Sequence, residues 1–428
     1  MTSDLYAASS AVPVPVPGRR RVVVTGIGMI TPLGADTASS WSGFLAGRCG
    51  IRELDESFAR LPVRIGAPAA VDPADLLPRA QARTMNRGAQ FAVLAAREAW
   101  ADAGLDAAVV DPHRAGVSVG TIIGGAPALV DASHQLRDKG PRHVSPHASP
   151  MTVPNGAAAR IAIDLDTRAE ARTIVSACAS GTEAIGAATD RIRAGHLDIA
   201  VAGGTEAVIH HTVMAAFASL RALAPGTDGP NDASKPFDEH RDGFVLGEGA
   251  AFLILEGEDH ARARGARTYC EIAGWGLSAD AHHMTAPRPD GDGIAIALHK
   301  ALADAGATIA DVVHISAHAT ATPAGDAAEA LALHTVFGDH APPVTAPKGA
   351  IGHLQGAAGA VEAALCALTL HHQLIPPTVG HHHPADGLGL DIVTGTPRPL
   401  SEQPGGIVLS DSFGFGGHNA VLALRSAA

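Results

Sequence analysis

Cysteine is scarce in this chain and its placement excludes several classes of protein. The four cysteines among 428 residues (Cys49, Cys178, Cys270, Cys366) are scattered without a C-x-x-C pair, so neither a disulfide framework nor a zinc site is indicated. A reducing cytoplasm is the simplest setting. No apolar run reaches the roughly 18 residues of a membrane span, and no charged-apolar-small leader is expected before the first strand. The net charge of −12 argues against nucleic-acid binding by the whole surface. It leaves room for local basic patches, with Arg79, Arg83, Arg87 and Arg221 as candidates for meeting an acidic partner. The glycine turns Gly26-Ile-Gly28 and Gly414-Phe-Gly416-Gly417 lack the G-x-G-x-x-G spacing that opens a helix, which excludes a dinucleotide fingerprint.

What the chain does have is a core. At 46% hydrophobic and 17% charged residues, its length suits two or three domains or one large duplicated α/β unit. Residues 1–18, with Pro13, Pro15 and Pro17 alternating with valines, are expected to form a flexible leader. From Arg21 onward β-like and helical runs alternate, which implies sheets flanked by helices. Strands are expected at Arg21–Gly28, Ala115–Gly120, Ala171–Val175, Asp198–Gly203, Gly249–Glu256, Thr268–Trp275, Val312–Ala317, Gly405–Ser410 and Ala420–Arg425. Helices are expected at Gln90–Gly104, Gly181–Gly195, Ala295–Gly306, Asp326–Val336 and Gly356–Leu370. A weak echo between Val175–Cys178 and His314–His318 divides the chain into similar halves, residues 19–266 and 267–428.

Cys178 stands out by position. It lies between the β-branched run Ala171–Val175, read as a short buried strand, and a small-residue helix from Gly181. Unsatisfied N–H groups and the helix dipole at such a junction favour thiolate over thiol. A lone cysteine is nonetheless more often a core residue. Three further segments carry chemistry-bearing side chains. His318, Thr320 and Thr322 follow a strand, and Asp326 and Glu329 open the next helix. Lys348 and His353 share a turn before a small-sided helix. Ser410 to Asn419, with Phe413 and Phe415, forms a glycine-rich turn between two strands. The run His381-His-His383 reads as a solvated loop, since consecutive side chains point apart.

These segments form an ordered string: Val24-Thr-Gly-Ile-Gly28, Ser176-Ala-Cys-Ala-Ser-Gly181, Val201-Ala-Gly-Gly-Thr-Glu206, Pro236-Phe-Asp238 with Arg241 to Gly249, Ala317-His-Ala-Thr-Ala-Thr-Pro323, Lys348 with Gly352-His353, and Ser412-Phe-Gly-Phe-Gly-Gly-His-Asn419. The string resembles the condensing enzymes of the thiolase superfamily, in particular the β-ketoacyl-acyl carrier protein synthases of type II, from about Arg21 to Arg425. The resemblance implies a five-layer αβαβα fold with two pseudo-duplicated halves. It implies an acyltransferase that joins an acyl thioester to malonyl-carrier protein with loss of carbon dioxide, in fatty-acid or polyketide elongation. Cys178 would be the acylated nucleophile, and the N–H groups of Cys178 and Phe415 its oxyanion hole. His318 and His353 would stabilise the enolate. Lys348 would fix protonation states through Glu329, with Asp326 and Phe413 supporting and Phe415 acting as a gate. Thr320 and Thr322 match positions that bind the pantetheine arm, Ile123 lies where the acyl pocket is walled, and Arg79, Arg83 and Arg221 would meet the acyl carrier protein. No metal or cofactor is implied beyond the carrier's phosphopantetheine. The implied assembly is a homodimer or a heterodimer with a chain-length factor, in the cytoplasm, with no nucleic-acid or membrane partner.

Residues separate the rivals. Thiolases need a second cysteine near the last glycine turn, and Ser410 to Asn419 has none. Synthases of type III pair cysteine with histidine and asparagine, whereas here a second histidine follows Lys348. A non-catalytic chain-length factor lacks the cysteine. Five departures leave room for a specialised substrate. They are Ala319 after the first histidine, Gly349 and Ala350 after the lysine, Asp411 where asparagine is common, and Pro127 in the Gly124 loop.

Overall fold

Runs of Val, Ile and Ala become strands because branched side chains fit a pleated, buried surface, and here ten strands join edge to edge. The computed structural model describes residues 19–427 apart from Ala107, Asp228 and Asp339; the leader expected over residues 1–18 lies outside the described residues. The first strands are β1 (Val22–Ile30), β2 (Ala115–Gly120), β3 (Ala171–Ile174), β4 (Ile199–Glu206) and β5 (Gly249–Gly257). They lie in the order β3-β2-β4-β5-β1. β3, β2 and β4 are parallel, and β5 runs antiparallel to both β4 and β1.

The second set repeats the first strand for strand. β6 (Cys270–Ala279), β7 (Val312–Ser316), β8 (Val344–Thr345), β9 (Ile407–Gly414) and β10 (His418–Ser426) lie in the order β8-β7-β9-β10-β6. Their senses match those of the first set. The sets meet where β1 pairs β6, Val23 opposite Glu271 and Val24 opposite Cys270. The duplication that was only a faint echo in the sequence is thus explicit in topology.

Helices fill the remaining layers. α1 (Arg87–Asp102) and α2 (Gly156–Asp164) cover the outer face of the first set. α4 (Asp292–Ala305) and α5 (Pro323–Phe337) cover the outer face of the second. Between the sets, α3 (Ser180–Arg193) packs against α6 (Ala358–His372). The order is αβαβα. A helix buried on every side must be apolar all round, and α6 is buried from Ala358 through Leu370. Glu362 is the one acidic or basic residue in that stretch.

Several elements depart from the sequence reading: the helices Thr37–Leu45, Gly156–Asp164 and His211–Ser219 were not expected, and two further departures lie at the surface. β3, expected to be buried, is an edge strand with exposed and half-buried residues, and Val175 beyond it is 57% exposed. Among the described residues only β2 flanks it, so it lacks a second neighbour. The helix Ala126–Lys139 was not anticipated. It buries no residue and leaves Leu129 56% exposed.

Candidate active site

Cys178 sits in a tight turn between β3 and α3. Ala177 takes a left-handed φ of +52°, a conformation that costs a non-glycine residue energy and needs local support. Ser180 supplies it: its hydroxyl accepts from the Ser176 N–H (2.9 Å) and donates to the Ala177 carbonyl (2.6 Å). The end of β9 closes against this turn at Gly414, where a Cβ would lie 2.9 Å from the Ser176 oxygen and 3.0 Å from the Cys178 nitrogen. The N–H groups of Phe415 and of Cys178 itself thereby face the sulfur.

Burial pushes the Cys178 thiol up to about 11, against the opposing pulls of Lys348 and those two N–H groups. The expected drop from the helix start does not survive. A helix end contributes at most about 2 kcal/mol, roughly one and a half pKa units, whereas burial of a charge can shift a group by 3–5 units. The resting group is a thiol.

The sulfur and one nitrogen of each of His318 and His353 lie within 4.8 Å of one another. His318 follows β7, and its Nδ1 is 3.3 Å from Lys348 Nζ. His353 Nδ1 accepts from the Gln355 N–H at 3.2 Å. An N–H can only donate and an ammonium carries no acceptor, so both Nδ1 atoms are bare and both rings carry their proton on Nε2. Burial, then the charge of Lys348, hold both imidazoles far below the usual histidine range. The site therefore presents two neutral Nε2–H donors. A Cys-His-His trio also has ligand types that zinc takes. A metal-bound histidine, however, donates its second nitrogen's proton outward, the reverse of what Lys348 and Gln355 impose here.

Lys348 pairs with Glu362 of α6, not with Glu329. Glu329 instead accepts from the N–H groups of His318 and Ala319, both at 2.7 Å, and so holds the loop that carries the first histidine. Burial lifts Glu329 to about 8 and Glu362 to about 7. Asp326 accepts from the Phe237 N–H at 2.8 Å and also supports backbone, with burial raising it to about 6. Glu206 does the same between the halves, accepting from Ile122 N–H (2.6 Å) and Gly356 N–H (3.2 Å). Asp411 is fully buried, with no partner for either oxygen among the described residues, and burial raises it well above the carboxylate range.

A cavity of about 220 Å³ opens on the trio, lined by Cys178, His318, His353, Gln355, Phe413 and Phe415 together with Thr320, Thr322 and Arg221. The Thr320 and Thr322 hydroxyls are 3.0 Å apart, and Thr322 also caps α5 by accepting from the Gly325 N–H. Phe413 stands edge-on to His318, with ring centres 5.8 Å apart. Other expected residues fall elsewhere. Ile123 belongs to the apolar cluster that includes Phe415 but does not line the cavity. Arg79 and Arg83 are exposed outside the lining. Arg87 is held by Asp72 and the buried Glu248. His382 and His383 give their N–H groups to Asp238.

Glu362 and Gln355 were missed in the sequence. Glu362 carried a signal, since a lone carboxylate on an apolar helix needs a buried partner; Gln355 carried none.

Fold and site together define a thiolase-type protein, in which a duplicated α/β framework brings a cysteine from one half to two histidines of the other. The sequence matches the β-ketoacyl synthase N-terminal domain over residues 19–261 and its C-terminal domain over residues 269–382, and the chain belongs to the β-ketoacyl synthase family. It is 41% identical over 406 residues to the 3-oxoacyl-[acyl-carrier-protein] synthase 2 of Mycobacterium bovis, covering 94% of this chain and 96% of that one. The protein of the same name from Coxiella burnetii is 40% identical over 410 residues, covering 95% and 98%. Among solved structures, the ishigamide ketosynthase/chain length factor superposes with a TM-score of 0.88 at 36% identity, covering 96% of this chain and all of that one. A type II PKS acyl-carrier protein in complex with its ketosynthase bound to the hexaketide gives 0.88 at 30% identity over the same shares. Among the described residues no helix is long and apolar enough to cross a membrane.

Proposed function

We propose that this protein condenses a cysteine-bound acyl group with malonyl-acyl carrier protein, giving 3-oxoacyl-acyl carrier protein and carbon dioxide. The observation that carries the reading is the pair of neutral Nε2–H donors beside a cysteine faced by two backbone N–H groups.

In the first half-reaction Cys178 sulfur attacks the acyl thioester. The Cys178–acyl bond forms, the carrier's thiol leaves, and the cysteine proton passes to it. Charge on the tetrahedral oxygen falls on the N–H groups of Cys178 and Phe415, which are fixed before the reaction begins. In the second, the malonyl thioester carbonyl accepts from His318 and His353. Loss of carbon dioxide leaves an enolate that these donors stabilise, and its carbon attacks the acyl carbonyl and expels the cysteine thiolate, which takes up a proton. Decarboxylation supplies the carbanion, so the neutral histidines need not act as strong bases. Lys348, held by Glu362, keeps His318 unprotonated at Nδ1.

Thr320 and Thr322 would take the pantetheine arm along the cavity, and Arg221 at its lining is the basic residue best placed for the acidic carrier. The exposed edge at β3 is the face for a second subunit, since bare strand edges call for cover. The reading favours a second copy of this chain; the alternative occupant is a chain-length factor. Purified protein given acyl- and malonyl-carrier protein should form 3-oxoacyl product, and a Cys178→Ala variant should form none. Product from that variant would overturn the assignment.

A further inference from the structure

Of the side chains lining the cavity, two have a buried nitrogen without a partner among the described residues: His353 Nε2 and Gln355 Nε2. The first is used by the enolate in the condensation proposed above. The second has no task there. Gln355 is 2% exposed and is presented from a left-handed backbone at φ +53°. Its Oε1 lies 3.7 Å from the Cys178 sulfur and accepts from the thiol. That contact leaves the amide's NH2 turned away from the sulfur. Thr320 is engaged with Thr322 and Asn419 with Asp280.

The geometry points to Gln355 as a specificity-determining residue that selects acyl groups bearing an oxygen on C3. This rests on the condensation reading. An acyl group on Cys178 places its C1 oxygen on the backbone N–H groups, so that oxygen is not available to Gln355. With Oε1 beside the sulfur, the amide is level with the first carbons of the bound chain. A ketone or hydroxyl at C3 gives the NH2 its acceptor, whereas a saturated chain leaves a buried donor unpaired, and sites built that way discriminate against the analogue lacking the polar group. The chemistry places the supplying reaction as well. A 3-oxo group is what condensation leaves and a 3-hydroxy group is what its ketoreduction leaves, so the preferred substrate is a chain not yet fully reduced.

The test is the rate of Cys178 acylation, followed by intact protein mass, with hexanoyl-, 3-hydroxyhexanoyl- and 3-oxohexanoyl-pantetheine. Wild type is compared with Gln355→Met and Gln355→Leu, two apolar replacements of similar length, so that a folding defect in one does not decide the result. Wild type should favour the oxygenated thioesters, and in both variants the ratio of oxygenated to hexanoyl transfer should fall roughly 10- to 100-fold. An unchanged preference overturns the selection, as does an equal loss for all three thioesters, which would assign Gln355 to the thiol alone. If wild type takes no acyl group from any of them, the condensation reading itself fails and the selection with it.

Discussion

At the scale of the residue, the site works by withholding charge. Cys178 rests as a thiol and both histidines as neutral rings, because burial disfavours every isolated ion. Alkylation of Cys178 by iodoacetamide should therefore rise about tenfold per pH unit from pH 7 to pH 10, following the growing thiolate fraction; a plateau by pH 8 would show a lowered pKa instead. Cys178→Gln places an amide where the acylated cysteine would be. It should lose condensation while keeping or raising malonyl decarboxylation, measured as carbon dioxide release. Adding His353→Ala to that variant removes one enolate donor and should slow the release by about 10²–10³-fold; an undiminished rate would remove His353 from the second half-reaction. Cys178, His318, Lys348 and His353 were legible because each lies in a short motif at a strand end or helix start. Glu362 announced itself as a lone carboxylate on an apolar helix without naming Lys348 as its partner, whereas Gln355 lies 177 residues from Cys178 and no local pattern reveals that pair.

At the scale of the element, small residues set how closely the layers approach. Gly349, one of the departures from the resemblance, leaves no room for a side chain: a Cβ there would lie 1.9 Å from the Val379 carbonyl oxygen. That departure is one of packing, since the 379 loop closes directly over the segment carrying Lys348. Gly349→Ser should destabilise the fold by roughly 2 kcal/mol or more, read from chemical denaturation; a change within about 0.5 kcal/mol would mean the loop can withdraw. Strands such as Ala115–Gly120 were read from sequence to the residue, because an apolar run between turn signals has one reading when it is buried. β3 was misread for the converse reason. Its β-branched residues announce a strand, but burial depends on neighbours, and the edge position is a property of the whole sheet.

At the scale of the molecule, duplication brings the two sets of reactive groups together. Cys178 comes from the first half, His318, Lys348 and His353 from the second, and α3 and α6 pack between them. The order of strands repeats although the sequence echo is weak, since topology needs only the alternation of apolar and helical runs. The uncovered edge at β3 predicts a particle of twice the 43.3 kDa chain mass in light scattering. Val175→Lys, on that face, should shift it toward the single-chain mass; an unshifted dimer would place the interface elsewhere.

The most direct test of the central claim follows the mass of the intact protein through one cycle. Acyl-carrier protein alone should add one acyl residue, and peptide mapping should place it on Cys178. Malonyl-carrier protein should then discharge it, with 3-oxoacyl product appearing in equal amount. An unchanged mass in wild type, or an acyl group that malonyl-carrier protein does not remove, would contradict condensation through an acyl-cysteine.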